Sequence, residues 1–308
     1  MTSGGDTKAN AKSPAAALAG DARAKVNLTL RVVGRRVDGY HELESVVAFA
    51  DCADRLSLTP GPELQLETTG PLAQDCGETA DNLVLKAARL LGERVPGLKV
   101  GSFTLDKVLP VAAGIGGGSA DAAAALRLLA QANGLAIDDP RLIEVAQLTG
   151  ADVPVCLASR ACVMTGIGEA LLPLVLPKLP CVLVNPRVPV ATRDVFEALG
   201  LRNGELLVGA ADVFQAVAWP EAGASVEDWV EALAAAANDL EAPATRIQPI
   251  IGEVISALNA TNGAWLARMS GSGATCYAIF ENTAEAQRAA QKIQLAHPQW
   301  WVHAGVLS

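Results

Sequence analysis

Lys25 and Asn27, in AKVNLTL, stand on the same face of any strand that carries them, because side chains alternate from one residue to the next. A lysine facing inward there demands an anionic partner. The best candidate for acid or base chemistry lies far along the chain: Asp152, in GADVPV, follows the helix-stopping Gly150 and precedes Pro154, a setting that predicts a carboxylate fixed on a tight connection. A carboxylate that takes a hydroxyl proton, beside a cation that steadies developing charge, is what transfer of a phosphoryl group to an alcohol requires.

Between them, LPVAAGIGGGSADAAAALRLL sets four glycines among the five residues Gly114 to Gly118 and then runs into an alanine-rich segment. Glycine allows positive φ and close approach to the backbone, and a helix beginning near Ser119 would aim unpaired N–H groups and its positive dipole end into the same space. That combination predicts an anion cradle for phosphates. It is neither of two common ones: no Gly-Lys-Ser/Thr follows Gly118, and the third glycine of a dinucleotide fingerprint falls on Ser119. A second glycine cluster, MSGSGATCYAIF, places Gly271, Ser272 and Gly273 just before a hydrophobic run.

Each of these features also has an ordinary use. A strand lysine can be solvated at an edge, an aspartate can cap a helix, and two glycines can make a simple turn. Asp121, early in the glycine-loop helix, reads as a cap or as a helper to Mg²⁺. In DGYHELESV, Tyr40 offers an aromatic face and His41 ring nitrogens able to read a base, while Phe196 in DVFEALG can stack or merely pack.

The elements that must position these groups follow from periodicity and punctuation. Strands are predicted from Arg23 to Val33, Glu42 to Leu58, Leu64 to Thr68 and Val100 to Leu105. A helix is predicted from Asp81 to Leu91 with Asp81 as N-cap, then one from about Ser119 to Asn133 stopped by Gly134, and one from Asp138 to Thr149. ADVPVCL and ACVMTGIGEAL read as extended. Beyond a division near residue 175, helices at Thr192–Leu199, Val226–Ala236, Pro249–Leu258 and Ala284–Leu295 alternate with strands at Cys181–Val184, Ala264–Arg268, Cys276–Phe280 and Trp301–Val306. The pattern is α+β in two domains, 23–175 and 176–308, behind a small, polar tail (1–22) expected to be disordered.

With 308 residues and 51% hydrophobic composition the chain has ample material for a core in each half. A net charge of −9 argues against a nucleic-acid surface. No apolar run reaches the roughly 20 residues a membrane helix needs, and the tail lacks a signal-peptide core, so a soluble cytoplasmic protein is expected. Six cysteines without a C-x-x-C pair, and three histidines, make a zinc site improbable. The acidic charge leaves monomer and homodimer equally open.

Taken together, AKVNLTLRVVGRRVDGYHELESV, LPVAAGIGGGSADAAAALRLL and MSGSGATCYAIF resemble, in order, the three motifs of the GHMP kinases. The D-G-Y-H-E-L run after lysine and asparagine is similar to the branch acting on diphosphocytidyl-methylerythritol in the non-mevalonate isoprenoid pathway. The resemblance implies an α+β fold of an N-terminal S5-like α/β domain and a C-terminal ferredoxin-like domain, with ATP, Mg²⁺ and the diphosphocytidyl substrate between them.

It also implies roles. Asp152 would be the catalytic base, Lys25 its charged partner, and Asn27 a residue that positions the acceptor. Gly114, Gly116, Gly117, Gly118 and Ser119 would wrap the ATP phosphates, with Asn82, Lys107 and Pro110 on the nucleotide side, the first two as adenosine contacts. Tyr40 and Phe196 would sandwich the cytosine, His41 would bond its edge, and Gly271, Ser272 and Gly273 would close on substrate phosphates or the transferred group. Two positions depart from the family pattern: Ala120 replaces a second serine, and Asp121 stands where asparagine is frequent. A nucleotide-binding regulator that lost its chemistry is the rival reading, and retention of both Lys25 and Asp152 speaks against it.

Overall fold

The computed structural model describes residues 17–207 and 219–308. Its spine is one long strand, β3 (His41–Thr59), whose two ends serve different partners. β1 (Leu18–Asn27) runs antiparallel along most of β3, and β2 (Arg31–Arg35) pairs with its beginning. β4 (Gln65–Thr69) adds parallel to β5 (Ser102–Asp106), which pairs with the far end of β3. Helices α1 (Leu83–Arg94), α2 (Gly117–Asn133), α3 (Pro140–Thr149) and the short α4 (Val153–Ala158) cover this sheet. β6 (Cys162–Gly166) and β7 (Ala170–Pro173) extend it from the front of β3.

The later half supplies β8 (Leu179–Asn185), α5 (Thr192–Glu197), α6 (Val226–Ala234), α7 (Glu241–Ile247), α8 (Ile250–Asn259), β9 (Ala264–Met269), β10 (Cys276–Phe280), α9 (Thr283–Ala296) and β11 (Trp301–Leu307). The expected division near residue 175 falls between β7 and β8, yet the sheet does not stop there. β11 lies between β8 and β3, so the strand order β4-β5-β3-β11-β8-β10-β9 runs through both halves. The seam is narrow: Leu307 pairs with Ala50, and Phe49 and Ser308 exchange backbone hydrogen bonds of 2.9 and 3.0 Å. Beneath it a shared apolar cluster joins Val26, Leu28 and Ala48 to Leu183, Trp229, Tyr277 and Leu307.

Several expectations need correction. β1 starts at Leu18, so residues 18–22 of the expected tail are strand; Ala22 is fully buried, and pairing of Leu18–Ala22 with Asp54–Leu58 outweighs their weak strand propensity. Residues 1–16 of that tail lie outside the described residues. The strand drawn from Arg23 to Val33 is two strands, broken after Asn27. Asn82, not Asp81, caps α1, its side chain accepting from the Val84 N–H at 2.9 Å. The glycine-loop helix begins two residues early, at Gly117. ADVPVCL is not extended, because Pro154 stands in the first turn of α4, where its missing N–H costs nothing. β7 was foreseen only in its first two residues, at the end of ACVMTGIGEAL, and α7 was not foreseen.

Candidate active site

The two glycine clusters meet. Gly114 takes φ +73, and a Cβ there would run into the Ser270 carbonyl oxygen and come 2.7 Å from the Gly273 nitrogen. Ser270 Oγ donates to the Gly114 carbonyl at 2.9 Å and accepts from the Asn27 N–H at 3.0 Å, while the Thr275 N–H donates to the Ala113 carbonyl at 3.0 Å. Strand β1 and both loops are thereby locked into one floor. α2 rises from that floor, its first N–H groups facing the space above.

Lys25 enters this space from β1, where a bulge between Arg23 and Lys25 shifts the register on β3 and re-aims the side chain. Only 4% of Lys25 is exposed. Its ammonium donates to Asn27 Oδ1 and to Asp152 Oδ2, each at 3.0 Å. Asp152 occupies the N-cap position of α4 but caps nothing, which leaves its carboxylate free for the lysine. Asn27 is fixed in turn: its amide donates to Ser45 Oγ at 2.7 Å, and Ser45 donates to the Thr29 carbonyl.

A cleft of about 430 Å³ opens over these groups. Of the expected residues it brings together Lys25, Asn27, Asp152, Gly114, Gly116, Gly117, Gly118, Ser119, Gly271, Ser272 and Phe196. Gly273 lies behind it, its N–H donating to the Ser270 carbonyl at 3.0 Å. Phe196 and Thr192, both on α5, lead into an adjoining cavity of about 540 Å³ lined also by Arg35, Tyr40 and His41.

There Phe196 stacks on His41, with ring centroids 4.5 Å apart, and Tyr40 lines the same cavity. Tyr40 ends the turn in which the Arg36 N–H bonds to its carbonyl and is 58% exposed, whereas His41 is the first residue of β3 and turns the other way. Burial, and then the nearby Arg35, hold the His41 pKa below its ordinary value, and its Nε2 is buried with no partner among the described residues. A neutral ring nitrogen is thus available to a ligand edge.

The nucleotide-side residues lie around the glycine loop in three different settings. The Asn82 side chain is occupied as a cap, and Leu83 beside it reaches the cleft. Lys107 does not face the cleft: its ammonium is buried, donating to Asp54 Oδ2 at 2.6 Å and to Asp121 Oδ2 at 2.7 Å. Burial pulls the Lys107 pKa down, but the Asp121 and Asp54 carboxylates outweigh it and keep that pKa raised. Asp121 is therefore not a cap, and neither Asp54 nor Asp121 lines the cleft. Pro110 lines a separate cavity beside the glycine loop.

Sequence reasoning missed Thr192, whose hydroxyl meets Ser272 Oγ at 2.8 Å, and Asn238, whose amide donates to the Met269 and Gly271 carbonyls at 2.8 and 2.9 Å. Ser270 was in view within MSGSG. Asn238 gave no signal, since its loop-bracing role exists only once distant segments meet.

The profile described as GHMP kinases N terminal domain matches residues 82–160, and that described as GHMP kinases C terminal matches 222–299. A Bradyrhizobium diazoefficiens protein named 4-diphosphocytidyl-2-C-methyl-D-erythritol kinase is 73% identical over 96% of this chain and 100% of its own. A Nitrobacter winogradskyi protein of the same name is 71% identical, with 96% of each chain covered. Among solved structures, a crystal structure of 4-(cytidine 5'-diphospho)-2C-methyl-D-erythritol kinase superposes with TM-score 0.73 at 34% identity, covering 94% of this chain and 99% of that one. A homoserine kinase from Cytophaga hutchinsonii shares the fold, with TM-score 0.70 at 18% identity over 98% of each chain. Full-length identity of this order, on top of three motifs gathered into one cleft, makes this chain a member of the 4-diphosphocytidyl-2-C-methyl-D-erythritol kinases within the GHMP kinase family.

Proposed function

We propose that this chain transfers the terminal phosphoryl group of ATP to the 2-hydroxyl of 4-diphosphocytidyl-2-C-methyl-D-erythritol, in the cytoplasm, as a step of the non-mevalonate isoprenoid pathway. The observation that carries the reading is the Lys25–Asp152 pair, 3.0 Å apart and facing a cleft floored by two glycine loops. In this reading Asp152 accepts or orients the hydroxyl proton of the acceptor. Lys25 keeps that carboxylate in place and offsets charge growing on the oxygens around it. Asn27 holds Lys25 from the other side.

The loop fits a triphosphate: Gly114 and Gly116 hold positive φ, which other residues disfavour, and their bare backbone lines the cleft. Gly114 to Ser119 and the first turn of α2 would hold them, and ATP when bound supplies the activated phosphoryl group. Mg²⁺ would be held chiefly by the nucleotide phosphates and water, as is usual for that cation at phosphoryl-transfer sites. The cavity of Arg35, Tyr40, His41 and Phe196 is proposed for the cytosine, with His41 Nε2 toward its edge.

The test is an ADP-release assay with Mg-ATP that offers the cytidine compound beside mevalonate, homoserine and galactose. Turnover selective for the cytidine compound is expected, and Asp152→Asn should lower kcat by about a hundredfold or more, the usual worth of a general base. ATP binding without turnover of any alcohol overturns the reading.

A further inference from the structure

Three positions outside glycine adopt positive φ among the described residues, and two of them, Ala112 (φ +50) and Arg187 (φ +59), line one cavity of about 300 Å³. This cavity lies beside the cleft and shares Ala112 with it. Its other lining includes Leu72, Asp75 and Pro110 from the N-terminal half and Asn185 and Pro189 from the C-terminal half.

The backbone of Arg187 is registered to the phosphate loop by three successive hydrogen bonds. The Arg187 N–H donates to Asn185 Oδ1 at 2.7 Å, the Asn185 amide donates to Thr275 Oγ1 at 2.9 Å, and the Thr275 N–H donates to the carbonyl of Ala113 at 3.0 Å. Asn185 and Thr275 are buried, so this chain of contacts is sheltered from water. The guanidinium itself is exposed and, among the described residues, takes part in no ion pair or side-chain hydrogen bond. Asp75, on the N-terminal wall, is likewise exposed and not paired with it.

A position shaped for glycine, braced against the phosphate loop, thus holds a cation beside the cleft, where an anionic ligand would meet it. The cleft supplies the need. Lys25 is the one basic side chain lining it among the described residues, and Asp152 already neutralises that lysine; Lys107, beneath the loop, is held by two carboxylates. Resting on the kinase reading above, we infer that Arg187 reaches over the glycine loop from the C-terminal half to bind the ATP phosphates, as an affinity-setting residue outside the three motifs.

Arg187→Gly is the natural test, because it removes the guanidinium and relieves the backbone together. The variant should melt at or above the wild-type temperature. Calorimetry without the alcohol substrate should show ATP binding weakened about fivefold, the loss expected of one partly solvated charged contact, with adenosine binding unchanged. In turnover, KM for ATP should rise while kcat stays within about twofold. Equal ATP affinity in the two proteins, or an equal loss for adenosine, overturns the inference. A failed kinase reading shows separately, in the wild-type arm, as no turnover of the cytidine compound.

Discussion

At the scale of single residues, the chemistry of this chain depends on which charges are paired and which face the cleft. Lys25 shares its protons between Asn27 and Asp152, and Lys107 spends its own on Asp54 and Asp121. The second arrangement is buried throughout, holds two carboxylates to one ammonium, and leaves Asp121 Oδ1 with no partner among the described residues. Burial, with Asp54 adding repulsion, pushes the Asp121 pKa up to about 7 against the pull of Lys107. An unfolded aspartate releases its proton near pH 4, so between about 4 and 7 the folded chain holds the extra proton. The stability this group contributes is complete below that window and is lost as pH rises through it. Asp121→Asn should therefore flatten the decline in urea midpoint from pH 5 to pH 8; an unchanged slope would place the ionisation elsewhere.

At the scale of elements, the two loops behave as one part. Gly114 cannot accept a Cβ without displacing Ser270 and Gly273, whereas Gly134, the αL C-cap of α2, faces open space. Gly134→Ala should cost about 1–2 kcal/mol of stability, the price of a strained αL residue, and leave turnover intact. Gly114→Ala should cost more and lower kcat at least about tenfold, because separating the loops misaligns groups that must be placed to within an ångström. Paired melting curves and rate assays check both. Local signals made much of this legible in the sequence: Gly134 ended α2 where expected, the strand at Cys276–Phe280 was bounded to the residue, and Lys25, Asn27 and Asp152 were named before their distances were known. What stayed hidden depends on segments far apart. The sequence of Lys107 does not show that Asp54 and Asp121 will claim it, and nothing in TRDVFE shows that His41 will lie on Phe196.

At the scale of the whole molecule, the two matched family segments share a sheet and an apolar cluster, so they are expected to unfold together. Leu307 is fully buried at the seam between β11 and β3. Leu307→Ala should destabilise by about 2–5 kcal/mol, as emptied core positions do, and shift a single calorimetric peak to lower temperature. Two peaks, only one of them shifted, would show that the halves melt independently. The cleft set across this seam also bears on what happens between turnovers. Each phosphorylated hydroxyl leaves a proton behind, and the proposed acceptor must shed it before the next alcohol arrives. The Lys25 side chain is 5% exposed but that of Asp152 is 35% exposed, so the carboxylate opens directly onto bulk water. In the proposed mechanism, solvent can take that proton from Asp152 directly, so its return to the charged form sets no requirement on a buried relay.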